Sequence, residues 1–206
     1  MGKKAKKILI FLLTFAILIS SLTLFTSCAS PYTDEEAREI LASLLERDIE
    51  LSQIIWGEGL ETQEDPGEHT EDSTFYYMEV ATDSAYTSLE ELKTAVRETY
   101  SETLYATIEL SAFGRNGGSE NDIIPRYADT EDGFLQIDVT NEGFKLRDIA
   151  YIGDAKIVRG RKNSIKMDIK ISSDSGETFR EKRVVLLKEN GVWKLDTQLW
   201  CVGYEY

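Results

Sequence analysis

A strict alternation of apolar and polar residues between positions 164 and 171 is the feature that most constrains how this chain folds. A period of two is that of a β-strand with one face in a core and the other in water. The apolar members of this strand are Ile165, Met167, Ile169 and Ile171. The polar members are Ser164, Lys166, Asp168 and Lys170. The C-terminal part of the chain is therefore predicted to form a sheet with one buried face.

Turn signals divide the same region into successive strands. Gly133, Gly176 and the pair Asn190-Gly191, the strongest short hairpin signal, each follow or precede a β-rich run. Strands are predicted over residues 126–129, 134–139, 151–159, 164–171, 179–188 and 192–200, and an earlier one over 75–80.

Two capping boxes predict helices before this sheet. Thr33 with Glu36 begins an apolar stripe that runs to about Trp56, and Ser88 with Glu91 begins a second helix. Ser101 begins a further short helix or extends the second one to Tyr105. Helices followed by a meander of strands predict an α+β fold, with N-terminal helices packed on a curved antiparallel β-sheet.

The N-terminus has the pattern of an export signal. Four lysines between positions 3 and 7 precede an apolar run from Ile8 to Ile19, and residues 1 to 27 contain no acid. The segment 24–30, with Ser27 before Cys28, resembles a bacterial lipobox. That resemblance implies a signal peptide over 1–27, a diacylglycerol on Cys28 that carries fatty acids such as palmitate, and a tether over 28–32. An uncleaved signal anchor is the alternative. Either reading places the domain at 33–206 on the extracytoplasmic face of the cell membrane.

The charge of the exported part excludes one class of partner. Residues 28–206 contain 19 Lys and Arg against 37 Asp and Glu, a net charge of −18. A polyanion would repel such a protein, so it is not a nucleic-acid binder. The same net charge disfavours docking on anionic lipid.

Seven acids and no Lys or Arg occupy the segment from Glu58 to Asp72, which is predicted to be a solvated loop. Its candidate contacts for a cationic partner are Glu61, Glu64, Asp65, Glu68 and Glu71. A weak calcium site is a second functional interpretation, although the ligand spacing does not match an EF-hand, and His69 stands without further zinc ligands. A plain surface loop is the alternative interpretation.

The sequence gives no catalytic constellation, metal cluster or cofactor motif. With Cys28 acylated, Cys201 has no intramolecular partner, and its apolar neighbours Trp200 and Val202 favour an inert thiol. An enzyme would need a base inside an apolar pocket, for which Asp138 and Tyr127 are the candidates.

Two stretches resemble a known fold group. Residues 76–105, with the segment Ser88-Leu89-Glu90-Glu91-Leu92, look like the cystatin-like, nuclear-transport-factor-2-like fold of many exported bacterial proteins. Residues 187–196 are similar to the closing hairpin of those domains. Within that group the chain resembles the inhibitors of cell-wall DL-endopeptidases, which implies a non-catalytic domain that binds a cell-wall hydrolase or another envelope protein. The same fold supports isomerases and dehydratases, and a purely structural lipoprotein is a third possibility.

Overall fold

The computed structural model describes residues 30–63, 76–114, 125–140 and 143–206, and within these ranges it contains three helices and eight strands. The helices are α1 (Asp34–Ile55), α2 (Leu89–Thr99) and α3 (Glu102–Ala112). The strands are β1 (Tyr77–Glu79), β2 (Tyr127–Asp129), β3 (Leu135–Asp138), β4 (Asp148–Arg161), β5 (Ser164–Ser172), β6 (Arg180–Glu189), β7 (Val192–Leu195) and β8 (Cys201–Glu205). Residues 32–206 form one compact unit.

Helix α1 begins at the predicted capping box. The hydroxyl of Thr33 accepts a hydrogen bond from the backbone N–H of Glu36 at 3.2 Å, and the Glu36 carboxylate accepts one from Thr33 N–H at 2.7 Å. The helix buries Ala37, Leu41, Leu45 and Leu51, so the predicted apolar stripe is core.

The second capping box is also present, and α2 ends one residue before Tyr100. Ser101 caps a separate helix α3, which continues past Tyr105 to Ala112. It continues because Tyr105, Ile108 and Ala112 follow helical spacing and are all buried on one face.

The larger sheet has the order β7-β6-β5-β4-β8. All its pairings are antiparallel except that between β4 and β8, which is parallel. Register shifts in β4 between Tyr151 and Lys156 and between Ile157 and Arg159 bend this strand. The predicted inward residues of β5 are at most 2% exposed, and α1 packs against β4 and β8. The α+β prediction of helices on a curved sheet is therefore confirmed.

The single strand predicted over 192–200 is wrong. Strand β7 ends at Leu195, and a new strand β8 begins at Cys201 and pairs with β4 in parallel. Residues 196–200 belong to no strand, and Trp200, directly before β8, has a φ of 58°, a left-handed conformation that a regular strand does not contain.

A smaller sheet has the order β1-β3-β2. The start of the acidic segment joins it, because Gln63 N–H donates to Glu79 O at 2.9 Å and Ala81 N–H donates to Glu61 O at 2.8 Å. Residues 61–63 are thus held by backbone pairing beside β1, contrary to the prediction of a wholly solvated loop.

The C-terminal end of α1 is closed by side chains of the segment that leads into β2. The Tyr127 hydroxyl donates to Ile54 O at 2.9 Å, and the Arg126 guanidinium donates to Ile55 O at 3.1 Å and Gly57 O at 2.6 Å. The last turn of α1 contains no basic residue, so Arg126 supplies the positive charge that favours a helix C-terminus. This closure fixes the position of Trp56.

Among the residues that the structure describes, no helix has both the length and the apolarity needed to cross a bilayer. The apolar run near the N-terminus and Cys28 lie outside the described residues.

Candidate binding pocket

A pocket of about 590 Å³ lies where the end of α1, the middle of α3 and the segments 144–148 and 198–200 meet. Its apolar lining consists of Trp56, Ile108, Phe144, Leu146 and Trp200. Its volume is within the range of roughly 300 to 1,000 Å³ that is usual for small-molecule sites.

Two of the aromatic side chains at the pocket are exposed. Phe144 is 72% exposed and Trp200 is 49% exposed. Large aromatic rings left in water beside a concave apolar surface mark an interaction site, because closing a ligand over them removes apolar area from water.

A glycine places Phe144 against the end of α1. Phe144 N–H donates to Trp56 O at 2.5 Å. Gly143 has a φ of 72°, and a Cβ there would lie 2.0 Å from Gly57 O. Only glycine permits this close approach, so the position of Phe144 depends on it.

Trp200 is held in a conformation that costs free energy. Its neighbours Leu199 and Cys201 are buried, and its own left-handed φ directs the indole to the pocket rim. Left-handed backbone in a bulky residue costs roughly 1 to 2 kcal/mol, and such strain concentrates at functional sites.

The polar groups at the pocket give it a cationic mouth. The carboxylate of Asp148 is ion-paired with Arg180. Lys145 and Arg147 are exposed, and no carboxylate of the described residues lies within 4 Å of either. The pocket therefore suits an apolar group that carries a polar or acidic substituent.

A smaller cavity of about 240 Å³ shares Trp56, Ser111 and Phe144 with the pocket. It also contains Arg126 and Asp138, one of the two candidate bases. Asp138 is 7% exposed, and its carboxylate accepts hydrogen bonds from the backbone and hydroxyl of Thr140.

The other candidate base, Tyr127, is fully buried. Its hydroxyl donates to Ile54 O and accepts from Leu60 N–H at 3.1 Å. Burial raises the pKa of Tyr127 to about 12. Both candidate bases point inward and are engaged in holding the fold.

A buried carboxyl that the sequence analysis missed lies elsewhere, in the core. Asp48 is fully buried on α1 and accepts a hydrogen bond from the Tyr100 hydroxyl at 2.9 Å. Among the described residues, neither its Oδ2 nor Ser52 Oγ has a partner at hydrogen-bond geometry. Burial raises the pKa of Asp48 to about 7, against the lowering effect of the Tyr100 hydrogen bond. Asp48 lies between Leu45 and Ser52 on the apolar stripe of α1, and this position is the sequence signal that could have indicated its burial.

Cys201 is buried in the same part of the core. Burial, with the nearby negative charge of Asp48, raises the pKa of this thiol to about 12. The thiol is therefore neutral, in agreement with the inert Cys201 expected from its apolar neighbours.

Of the residues of the acidic segment that the sequence analysis selected, the structure describes only Glu61, which does not line the pocket. Glu61 is exposed beside β1. Cys28, Glu64, Asp65, Glu68, Glu71 and His69 lie outside the described residues. Within the described ranges, no group of three His, Cys, Asp or Glu side chains is arranged to hold a metal ion.

Comparison with known proteins adds no assignment: no family model matches the chain, and no curated protein is significantly similar to it. The fold defines the chain as an α+β domain with helices packed on a curved sheet.

Proposed function

We propose that this protein is an extracytoplasmic lipoprotein, anchored to the cell membrane through Cys28, whose α+β domain binds an envelope partner without catalysis. The cystatin-like, nuclear-transport-factor-2-like resemblance belongs to the same proposal. A cell-wall hydrolase is the first partner to test.

The aromatic pocket is the observation that carries the binding role. Phe144 and Trp200 are exposed at its edge, and Trp200 stands there at a cost in backbone strain. Backbone strain of this kind clusters at ligand and active sites, and Gly or Asn at this position would relieve it.

The chemistry at the pocket favours binding over catalysis. General base catalysis needs a carboxylate or imidazole free to take a proton. The pocket carboxylate, Asp148, is ion-paired with Arg180, and Asp48 is sealed in the core behind Tyr100. The isomerase or dehydratase alternative would have to use Asp148 or Asp138 after release from these partners.

Tryptophan fluorescence tests the pocket directly. Two of the three tryptophans, Trp56 and Trp200, line it, and Trp193→Phe leaves only these two as reporters. Titration with purified cell-wall hydrolases is expected to shift their emission.

The two pocket variants are Phe144→Ser and Trp200→Asn. Asparagine is chosen at position 200 because it tolerates the left-handed backbone conformation. Each is expected to weaken binding by roughly tenfold or more, as for buried aromatic anchors at interfaces. Phe134→Ser, which removes a 53% exposed aromatic ring away from the pocket, is the control and is expected to bind normally. Equal affinity in all three variants would reject the pocket as the binding site.

Lipid attachment is tested separately. Cys28→Ser is expected to abolish incorporation of radiolabelled fatty acid, whereas Cys201→Ser, which changes a buried thiol, is expected to retain it. Unchanged labelling of the Cys28→Ser variant would remove the anchor from the proposal.

A further inference from the structure

We propose that the turn between β4 and β5, with the adjoining ends of both strands, rests on anionic lipid headgroups and orients the domain on the membrane. This proposal rests on lipid attachment at Cys28. It gives the anchored domain a second, electrostatic contact.

Five exposed cations gather at this turn: Lys156, Arg159, Arg161, Lys162 and Lys166. We call them the basic turn. No carboxylate of the described residues lies within 4 Å of any of them. Arg159 and Lys166 stand directly opposite each other on β4 and β5.

Such a pair destabilises a sheet. Two side chains of like charge that face each other across neighbouring strands repel, whereas a cation facing an anion would stabilise the pairing. The pair of Arg159 and Lys166 therefore adds no stability to the fold, which points to a use outside the domain.

Acids on the neighbouring elements are already engaged. Asp168, directly opposite Lys156 across β4 and β5, receives two hydrogen bonds from Arg183 at 2.7 and 2.9 Å. Glu189 lies 3.5 Å from Lys194 Nζ and also caps α3. Asp34, at the start of α1, accepts from Ile157 N–H at 2.8 Å. The positive charge of the basic turn is left uncompensated at its outer end.

The chain enters the domain at the same turn. The Tyr32 hydroxyl donates to Lys162 O at 2.6 Å, and its ring meets that of Trp193 edge to face with centroids 5.4 Å apart. Three residues lie between Cys28 and Tyr32, so four Cα–Cα steps join them, and an extended chain spans at most about 3.6 Å per residue. A lipid on Cys28 would therefore be attached at most roughly 14 Å along the chain from Tyr32.

The positive charges are concentrated in the C-terminal part of the chain, which contains the basic turn, and the negative charges in the N-terminal part. Residues 143–206 contain 13 Lys and Arg against 9 Asp and Glu, whereas residues 28–142 contain 6 against 28. The overall negative charge of the protein is repelled by an anionic membrane in most orientations. The orientation with the basic turn towards the membrane is therefore favoured. Each Lys or Arg near such a surface strengthens binding by roughly fivefold.

Nitroxide quenching measures the orientation on the whole lipoprotein. A fluorophore is attached at Asn163→Cys in the basic turn or at Glu177→Cys beyond the other end of β5, whose nine residues separate the two turns by roughly 30 Å. Cys201 is buried and does not compete for the label. The protein is reconstituted in vesicles of phosphatidylcholine with or without phosphatidylglycerol, with the nitroxide on the headgroups.

With phosphatidylglycerol at low salt, the label at 163 is expected to be quenched several-fold more than the label at 177. Arg159→Glu with Lys166→Glu is expected to remove that difference. The matched control, Lys93→Glu with Lys170→Glu, makes the same change of charge away from the basic turn and is expected to retain it.

Equal quenching at both positions, or a difference indifferent to headgroup charge and salt, would overturn the proposal. Failure of the anchor is distinguished by mass spectrometry of the purified protein and by flotation with neutral vesicles, which require the lipid alone. The salt dependence of the quenching at position 163 with anionic vesicles is measured separately from these two tests of the anchor.

Discussion

Asp48 shows how one residue couples the core to pH. Its carboxyl is fully buried, and burial raises its pKa to about 7. In the unfolded chain the same group titrates near its ordinary pKa of about 3.9. Between these values the folded protein binds a proton that the unfolded chain does not bind, so stability falls as pH rises through this window.

Replacing Asp48 with Asn removes this titration while leaving an acceptor for the Tyr100 hydroxyl. From about pH 3 to about pH 8 the wild-type free energy of unfolding is expected to fall relative to that of the variant by roughly 4 kcal/mol, and outside this range the difference is expected to be constant. Urea unfolding of both proteins across this range measures it. Parallel pH profiles would show that Asp48 is ionised in the fold.

At the scale of elements, the end of α1 depends on side chains from another part of the chain. Helix C-termini leave carbonyls without intrahelical donors, and here Tyr127 and Arg126 supply them. The closure connects α1 to the smaller sheet and fixes Trp56 at the pocket.

Tyr127→Phe is expected to lower the free energy of unfolding by about 1 to 3 kcal/mol, because Ile54 O and Leu60 N–H both lose a buried partner. Denaturant unfolding is the measurement. The control is Tyr206→Phe, which removes an exposed hydroxyl and is expected to change stability by less than about 0.5 kcal/mol. Equal effects of the two substitutions would contradict the closure.

Across the whole molecule, the acidic segment and the basic turn give the domain charges of opposite sign. We expect the segment from Glu58 to Asp72 to steer a cationic partner, acting on the association rate more than on affinity. The variant that tests this neutralises Glu61, Glu64, Asp65, Glu68 and Glu71 to Gln or Asn.

The on-rate to a wall hydrolase is expected to drop at low salt in this variant and to match that of the wild type at high salt, because salt screens exposed charges. Stopped-flow measurement at both salts distinguishes the outcomes. The same on-rate for both proteins at low salt would identify the segment as a surface loop.

The core is expected to support the fold without metal or disulfide. Residues 32–206 bury residues of α1, α2, α3 and the larger sheet around one core, and a domain of this size has sufficient apolar area for stability. Thermal melts with chelator or with reductant are expected to superimpose on the untreated curve. A shift in either condition would reveal a site beyond the described residues.

Local signals in the sequence determined the elements and the buried face of the sheet. The capping boxes at Thr33 and Ser88 act within one helical turn, and the alternation around Met167 assigns each residue to a face. These features depend on near neighbours, so they can be derived without the tertiary structure. Net charge is likewise a property of composition.

The tertiary structure decided what depends on residues distant in sequence. The break at Trp200 and the parallel pairing of β8 require β4 as a partner, and the pocket requires Trp56 and Phe144 to meet. The pKa of Asp48 follows from burial by elements that pack on α1. Net charge disfavoured anionic lipid, but only the fold places the basic turn beside Tyr32, because electrostatic contacts depend on where charges lie as well as on their sum.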